Sequence, residues 1–385
     1  MKTIHKLLAL ALCLALLCGA VSATMRETGT SGLKLADEVT YTHTSWSNDQ
    51  KEGQYLQEHF LTYTSGGAVR PMVVYGDTLY GRSPMNYAAK FLEDKNLVLV
   101  AGVNGSFFDM NNGIPYGLIV TEGILRSSGN ISSIGFFADG KTVIGTPELK
   151  VTATIGGTEQ EIFYNKALTR DNGIGLYSRD DTATKSSLKS YNVVLQPLSG
   201  KAELTMTGTL SATVRAVQDK TASCDIPEDC FVLAIAEDSR YASALDTMKA
   251  LKTGDVFQIT TTCNAAWSAV QYACGGGEML VENGVPATDF KLDTAEKFRA
   301  RTAAGLKTDG TLILYTVDES DISAGLTLPL LAERMSKLGC VTAINLDGGS
   351  SAMLWFDGEY VTQSSSSPLR YTGGRPLPNA WVYKK

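Results

Sequence analysis

Five side chains in this sequence have the type and the setting for chemistry on a polar, charged substrate, and each stands beside glycine, at the end of an apolar run or among small residues. Asp347 lies in Asn345-Leu346-Asp347-Gly348-Gly349-Ser350-Ser351. The two glycines can take positive φ and leave amides uncovered, so a ligand can approach main chain and carboxylate together. Glu278 follows Gly275-Gly276-Gly277 and offers a second carboxylate. Three glycines in a row are costly to order unless something close needs the room. Asp318 ends the apolar run Leu312 to Val317, and Arg301 sits among small residues in Arg299-Ala300-Arg301-Thr302-Ala303-Ala304-Gly305. A guanidinium near a glycine loop is the natural partner of a phosphate, through its planar fork. Asn104 opens Asn104-Gly105-Ser106-Phe107-Phe108-Asp109, where aromatic faces suit the apolar sides of sugar rings. Each loop also has a plainer reading: Asp-Gly is a turn signal that recurs at Asp139, Asp309 and Asp357, Arg301 reads as a surface charge, and Phe107 with Phe108 as core residues under a turn.

Composition narrows the classes of function. The net charge of −6 gives no general attraction to nucleic acid or to an anionic membrane. No Cys/His group has zinc-ligand spacing, and the three histidines are His5, His43 and His59. A Ser-His-Asp or Cys-His engine is therefore not expected. Met1, Lys2 and Lys6 precede an apolar run from Leu7 to Cys18, and Val21-Ser22-Ala23 supplies small residues for cleavage, so residues 1–23 read as a secretory signal. The run is short for a membrane span, and Leu17 before Cys18 is too bulky for a lipoprotein signal, which predicts a secreted or extracytoplasmic protein without stable membrane insertion. Of the five cysteines that remain, Cys224 and Cys230 bracket a short loop and read as a disulfide, with Cys263 and Cys274 as a second pairing.

The elements that must position these residues follow from periodicity. Residues 24–53 are polar without clear period and read as a lead-in segment, and residues 54–385 as one domain with 44% hydrophobic content across the chain to fill its core. Leu97 to Ala101, Leu312 to Val317 and Cys340 to Ile344 are continuous apolar runs of the buried-strand kind. Leu118 to Arg126 reads as a hairpin about Glu122-Gly123, Pro84 to Glu93 and Ala242 to Leu251 as helices, and residues from about 148 to 262 as further strands and loops. Thr327 caps a third helix with Pro329 in its first turn, and Gly339 stops it. Strand, helix and strand in that order predict a right-handed parallel crossover with Asp318 and Asp347 at one edge of one sheet. The fold class is α+β: mixed β-sheets, few helices, and one such crossover near the C-terminus.

Taken together, Asn104-Gly105-Ser106-Phe107-Phe108, Gly275-Gly276-Gly277, Arg301 to Gly305, Asn345 to Ser351 and Arg375-Pro376-Leu377-Pro378-Asn379 resemble the phosphodiester glycosidase family over roughly residues 95–383. Ser106 and Ser350 stand where glycine is common in that family, and Glu319 follows Asp318 where glycine often does. The resemblance implies hydrolysis of a sugar 1-phosphodiester on an envelope or extracellular glycan, with no cofactor and no bound metal. It implies Asp347 as base or nucleophile at the anomeric carbon and Glu278 or Asp318 as the other carboxylate. Arg301, with Arg375 or Arg370, would hold the phosphate, with the Gly348 and Gly349 amides and Ser350 beside them, and Asn104 would bind sugar hydroxyls. Two other readings stay open: a non-catalytic module that binds glycan or envelope polymer, and a metal-dependent phosphodiesterase with Asp109, Asp318 and Asp347 as oxygen ligands.

Overall fold

The computed structural model of the chain describes residues 25–48, 55–75, 79, 85–155, 157–169, 173–180, 183–184, 188–221, 223–237, 241–362 and 380–384. The leader read over 1–23, and Arg370, Arg375 and their motif, lie outside the described residues. The sheet that carries the site has eight strands: β1 Met25–Lys34, β2 Val39–Asn48, β3 Tyr55–Tyr63, β4 Met279–Glu282, β5 Val285–Pro286, β6 Arg301–Lys307, β7 Leu312–Val317 and β8 Cys340–Asn345. Their order across the sheet is β1-β2-β3-β7-β6-β8-β4-β5, and every neighbouring pair is antiparallel.

The apolar run of β7 is buried on both faces. Leu312 and Leu314 point into one core cluster, while Ile313, Tyr315 and Val317 point into another. Period-two geometry assigns them to opposite faces, and burying each such side chain stabilises the fold by roughly 1.5–3 kcal/mol. The second of these clusters is closed by a helix, Leu328–Lys337, that lies between β7 and β8 in sequence. Thr327 caps it, its side chain accepting from the Leu330 amide at 3.3 Å, and Gly339, at φ 89°, ends it. Two shorter helices occur among the described residues, Met85–Glu93 and Ala242–Lys249; in chain order the three are α1, α2 and α3. Because β6 is antiparallel to both β7 and β8, those two strands run in one direction with β6 between them. The ends of β7 and β8 and the start of β6 therefore meet at one edge, which brings Asp318, Asp347 and Arg301 to it.

Among the described residues there are four further sheets, the smallest a two-stranded ribbon of Glu319–Ser320 and Ser323–Ala324. Leu99–Asn104 belongs to a five-stranded antiparallel sheet whose inner face shares the core of β7 through Ala101 and Val103. Ile119–Thr121 and Ile124–Ser127 form the expected hairpin, with Glu122 at φ 55° and Gly123 at φ 77°, inside a six-stranded sheet that also holds Tyr272–Gly275. The stretch 150–262 supplies an eight-stranded sheet whose inner face, with Val193, Leu195, Leu233 and Ile259, fills the largest core cluster.

Two expectations are corrected. Residues 25–48, read as a lead-in segment without period, are the ten-residue strands β1 and β2, paired from Met25↔Asn48 to Lys34↔Thr40. They lack a hydrophobic rhythm because β1 is an edge strand whose residues beyond Met25 are all exposed, so it has no buried face to record in sequence. Among the described residues the five cysteines form no disulfide with one another. Cys224 and Cys230 are each buried among apolar side chains in one cluster, where they serve as small hydrophobes.

Candidate active site

Where β8 ends, the chain turns through Gly348 into a single 3₁₀ turn, Gly349–Ser351, and one side of a cleft of about 340 Å³ forms there. Phe107, Leu292, Thr294, Arg299, Arg301, Asp347, Gly348, Gly349 and Ser350 line it. Arg301 and Asp347, chosen from sequence as cation and acid, thus face one hollow, with Gly348, Gly349 and Ser350 on its wall.

Asp347 is half-buried and held through its main chain. Its amide donates to the Gly105 carbonyl at 3.3 Å, and its carbonyl accepts from Asn104 Nδ2 at 2.7 Å. Asn104 is fully buried, and its Oδ1 accepts from Thr302 Oγ1 at 2.7 Å and from the Met353 amide at 3.1 Å. Asn104 therefore fixes the Asp347 backbone from behind; the structure does not bring its amide into the cleft lining. The glycine amides also differ from expectation. Gly348 N–H donates to Asp347 Oδ1 at 2.9 Å and Gly349 N–H to the Ala300 carbonyl at 2.7 Å, so both are taken up inside the loop. Gly349 is needed for its φ of +58°, and a Cβ on Gly348 would come within 2.9 Å of the Ala300 carbonyl oxygen.

The three glycines 275–277 make room for protein. A Cβ on Gly277 would lie 2.7 Å from the Phe107 ring, one on Gly276 2.6 Å from Ile344, and one on Gly275 2.4 Å from the Gly117 Cα. This crowding brings Phe107 to the cleft while Phe108 goes into the core. Glu278 lies outside the lining: its carboxylate accepts from the Lys291 and Leu292 amides, both at 2.8 Å, and so holds the segment that supplies Leu292 and Thr294. Asp318 is also outside. It is buried, with Oδ2 3.4 Å from His59 Nε2 on the far side of the sheet. The charge contact is off hydrogen-bond geometry, since His59 Nε2 has no hydrogen-bond partner among the described residues. Side-chain alternation explains the split: Thr316 and Asp318 point to one face of β7, Val317 and the neighbouring Arg301 to the other. Among the described residues no three His, Cys, Asp or Glu side chains converge as a metal site.

Two arginines meet at the cleft, and sequence reasoning chose only one. Arg301 is buried; its Nε donates to the Leu326 carbonyl at 3.0 Å and its Nη2 to the carbonyls of Thr294 at 2.6 Å and Lys297 at 2.8 Å. Its Nη1 has no hydrogen-bond partner among the described residues. Burial, and then the charge of Arg299 beside it, push the Arg301 pKa down to about 10. Arg299 is 42% exposed and pairs with Glu319 at 3.2 Å; the same carboxylate accepts from the Ala300 amide at 3.1 Å. Glu319, noted in sequence as a departure, thus anchors the arginine segment. The signal that could have found Arg299 was its position two residues from Arg301, just ahead of the strand.

The chemistry open to this cleft is binding of an anion by two guanidiniums, with a carboxylate and an aromatic ring in the same lining. Comparisons with known proteins bear on the family. Residues 211–384, which hold both arginines and the Asp347 loop, match the family model described as phosphodiester glycosidase. Over 66 residues the chain is 36% identical to the SPbeta prophage-derived uncharacterized protein YomE of Bacillus subtilis, a match covering 17% of this chain and 10% of that relative. The fold is similar to that of a hypothetical protein from Synechocystis, with TM-score 0.74 and 20% identity over 92% of this chain and 64% of that one, so the chain spans less than two thirds of that neighbour. It is also similar to a Burkholderia pseudomallei protein, with TM-score 0.70 and 16% identity over 93% and 96% of the two chains. Its similarity to the zebrafish N-acetylglucosamine-1-phosphodiester alpha-N-acetylglucosaminidase catalytic domain has TM-score 0.48 and 15% identity over 94% and 88%. With the match over residues 211–384, the chain carries a phosphodiester glycosidase family domain.

Proposed function

We propose that this protein is an exported hydrolase that cleaves the bond between the anomeric carbon of a sugar and a phosphate esterified to a second group. The observation that carries the reading is the single cleft in which Asp347 faces Arg299 and Arg301. A phosphate monoester, with a second pKa near 6, leaves far more readily than a sugar alkoxide. The site therefore needs charge neutralisation more than a strong proton donor, and the two guanidiniums supply it in a partly desolvated wall. Arg299, with the more exposed fork, meets the phosphate first, and Arg301 Nη1 adds a fixed donor. Asp347 works at the anomeric carbon, held by Gly348 and by Asn104 behind it. The leader read over residues 1–23 supports export. The named relatives are distant, so the sugar and the second group are set by assay.

A panel of sugar 1-phosphodiesters, followed by release of reducing sugar and phosphomonoester, tests this. The wild-type chain turns over at least one member, and Asp347→Asn lowers kcat by about a thousandfold or more while its melting temperature stays close to wild type. A folded wild-type protein that cleaves none of the panel removes the hydrolase reading. One observation favours a second reading, a module that binds such polymers without cleaving them: Glu278 and Asp318 lie outside the cleft lining, which leaves Asp347 as its lining acid among the described residues. Under that reading the panel is bound and not hydrolysed.

A further inference from the structure

One buried charge outside the cleft lining has no role in the chemistry above. Lys166 is 8% exposed, and its ammonium donates to three successive carbonyls, those of Pro115, Tyr116 at 3.3 Å and Gly117 at 2.8 Å. A buried cation is costly, yet what it holds here is a surface turn. Both ends of that turn are already fixed. The Tyr116 amide donates to the carbonyl of Phe107, a cleft residue, at 3.0 Å, and Gly117 packs so tightly on Gly275 that a Cβ would come within 2.3 Å of the Gly275 Cα. Lys166 itself is aimed by Asn165, which is fully buried, holds φ 51° and bonds to the Arg126 carbonyl and to Ser178.

The product of this scaffolding is one side chain that points outward. Pro115 and Gly117 are buried, whereas Tyr116 is 59% exposed. Its phenol is also within electrostatic reach of the cleft: partial burial, then the charges of Asp109 and Asp347, push its pKa up. An exposed aromatic on a rigid backbone gives contact area at little entropic cost, which suits the apolar face of a sugar ring.

We propose that Tyr116, outside the lining itself but joined through its amide to the lining residue Phe107, extends the aromatic surface on which a sugar ring rests, and that Lys166 is its positioning residue, acting through the three carbonyls it gathers. This rests on the carbohydrate reading of the cleft. It assigns sugar binding to residues outside the 211–384 match, and so predicts that the ring is recognised by one part of the chain and the phosphate by another.

The test is titration of the methyl phosphodiesters of glucose 1-phosphate and N-acetylglucosamine 1-phosphate by calorimetry, in an Asp347→Asn background so that binding is read without turnover. Tyr116→Ala weakens binding by about tenfold and Tyr116→Phe leaves it within about twofold, as expected for a ring contact. Lys166→Met weakens it severalfold, and the double variant Tyr116→Ala/Lys166→Met binds as Tyr116→Ala does, because the lysine acts through the tyrosine. If Lys166→Met does not fold, Lys166→Gln, which keeps two N–H donors, takes its place and falls between wild type and Tyr116→Ala. Unchanged binding by Tyr116→Ala, losses that multiply in the double variant, or no binding of either probe at millimolar concentration overturns the proposal. Binding by this background with no turnover by the wild-type chain removes only the hydrolase reading.

Discussion

Arg299 and Arg301 are two residues apart, yet they occupy different energetic positions. Arg301 gives Nε and Nη2 to three carbonyls at the end of β6 and is buried. Removing it leaves those acceptors without donors, each unsatisfied buried group costing roughly 1–3 kcal/mol. Arg301→Ala is therefore expected to destabilise the fold by about 3 kcal/mol or more in urea unfolding. Arg299 is exposed enough that its pair with Glu319 is screened, so Arg299→Ala should change stability by no more than about 0.5 kcal/mol. On the proposed substrate its KM should rise tenfold or more, since a charge-assisted bond contributes roughly 1.5–3 kcal/mol. Equal loss of stability in the two variants would contradict this division. Sequence could place Asp347 and Arg301 at a cleft because glycine loops and apolar strand ends fix where the chain turns. It could not give side-chain direction, which is why Glu278 binds two amides, Asp318 faces His59, and Arg299 went unchosen.

At the scale of elements, β7, α3 and β8 were legible because each carries its own signal: an apolar run buried on both faces, a Thr327 cap, a Gly339 stop. Contacts between sheets had no such signal, and Lys166 is the clearest case. It leaves the eight-stranded sheet just after Phe163–Tyr164 and ties that sheet to the turn before the Ile119–Thr121 strand. Burial pushes its pKa from the ordinary 10.5 down to about 7. Below about 7 the amine is protonated in folded and unfolded chains alike and adds no pH dependence. Between that value and 10.5 the unfolded chain holds a proton that the folded one lacks, so folding gains stability as pH rises, by up to about 1.4 kcal/mol per pH unit. Comparison with Lys166→Met cancels the other titrating groups. The melting-temperature difference, wild type minus variant, should be flat in mildly acidic buffer and grow in favour of wild type from neutral pH toward pH 9. A difference that stays flat over that range would mean that the three carbonyls keep the amine protonated in the folded state as it is in the unfolded one.

For the whole molecule, the site belongs to a sheet that begins at β1, well outside the 211–384 family match, and continues through β2 and β3 to β7. The asymmetry along that sheet decides what the first strand does. Beyond Met25, β1 has exposed side chains only, so it contributes backbone pairing to β2 and little hydrophobic burial. β2 and β3 are different: Val39, Leu61 and Tyr63 reach the central core, and Glu58, fully buried, accepts from Trp46, Tyr315 and Arg334 Nε and Nη2 at 2.7–2.8 Å. That network ties β2, β3, β7 and α3 into one body, and breaking such a buried pair costs roughly 3–5 kcal/mol. Removal of β1 should therefore leave the sheet and the cleft intact while exposing the unpaired N–H and C=O groups of β2. A flat strand edge of that kind pairs with other chains. Deletion of residues 25–34 is expected to lower the melting temperature by only a few degrees and to leave binding of the sugar phosphodiester probes unchanged. The same deletion should shift the protein to concentration-dependent dimers and larger species in sedimentation velocity. Cooperative loss of the whole fold on deletion would instead place β1 among the strands on which the core depends.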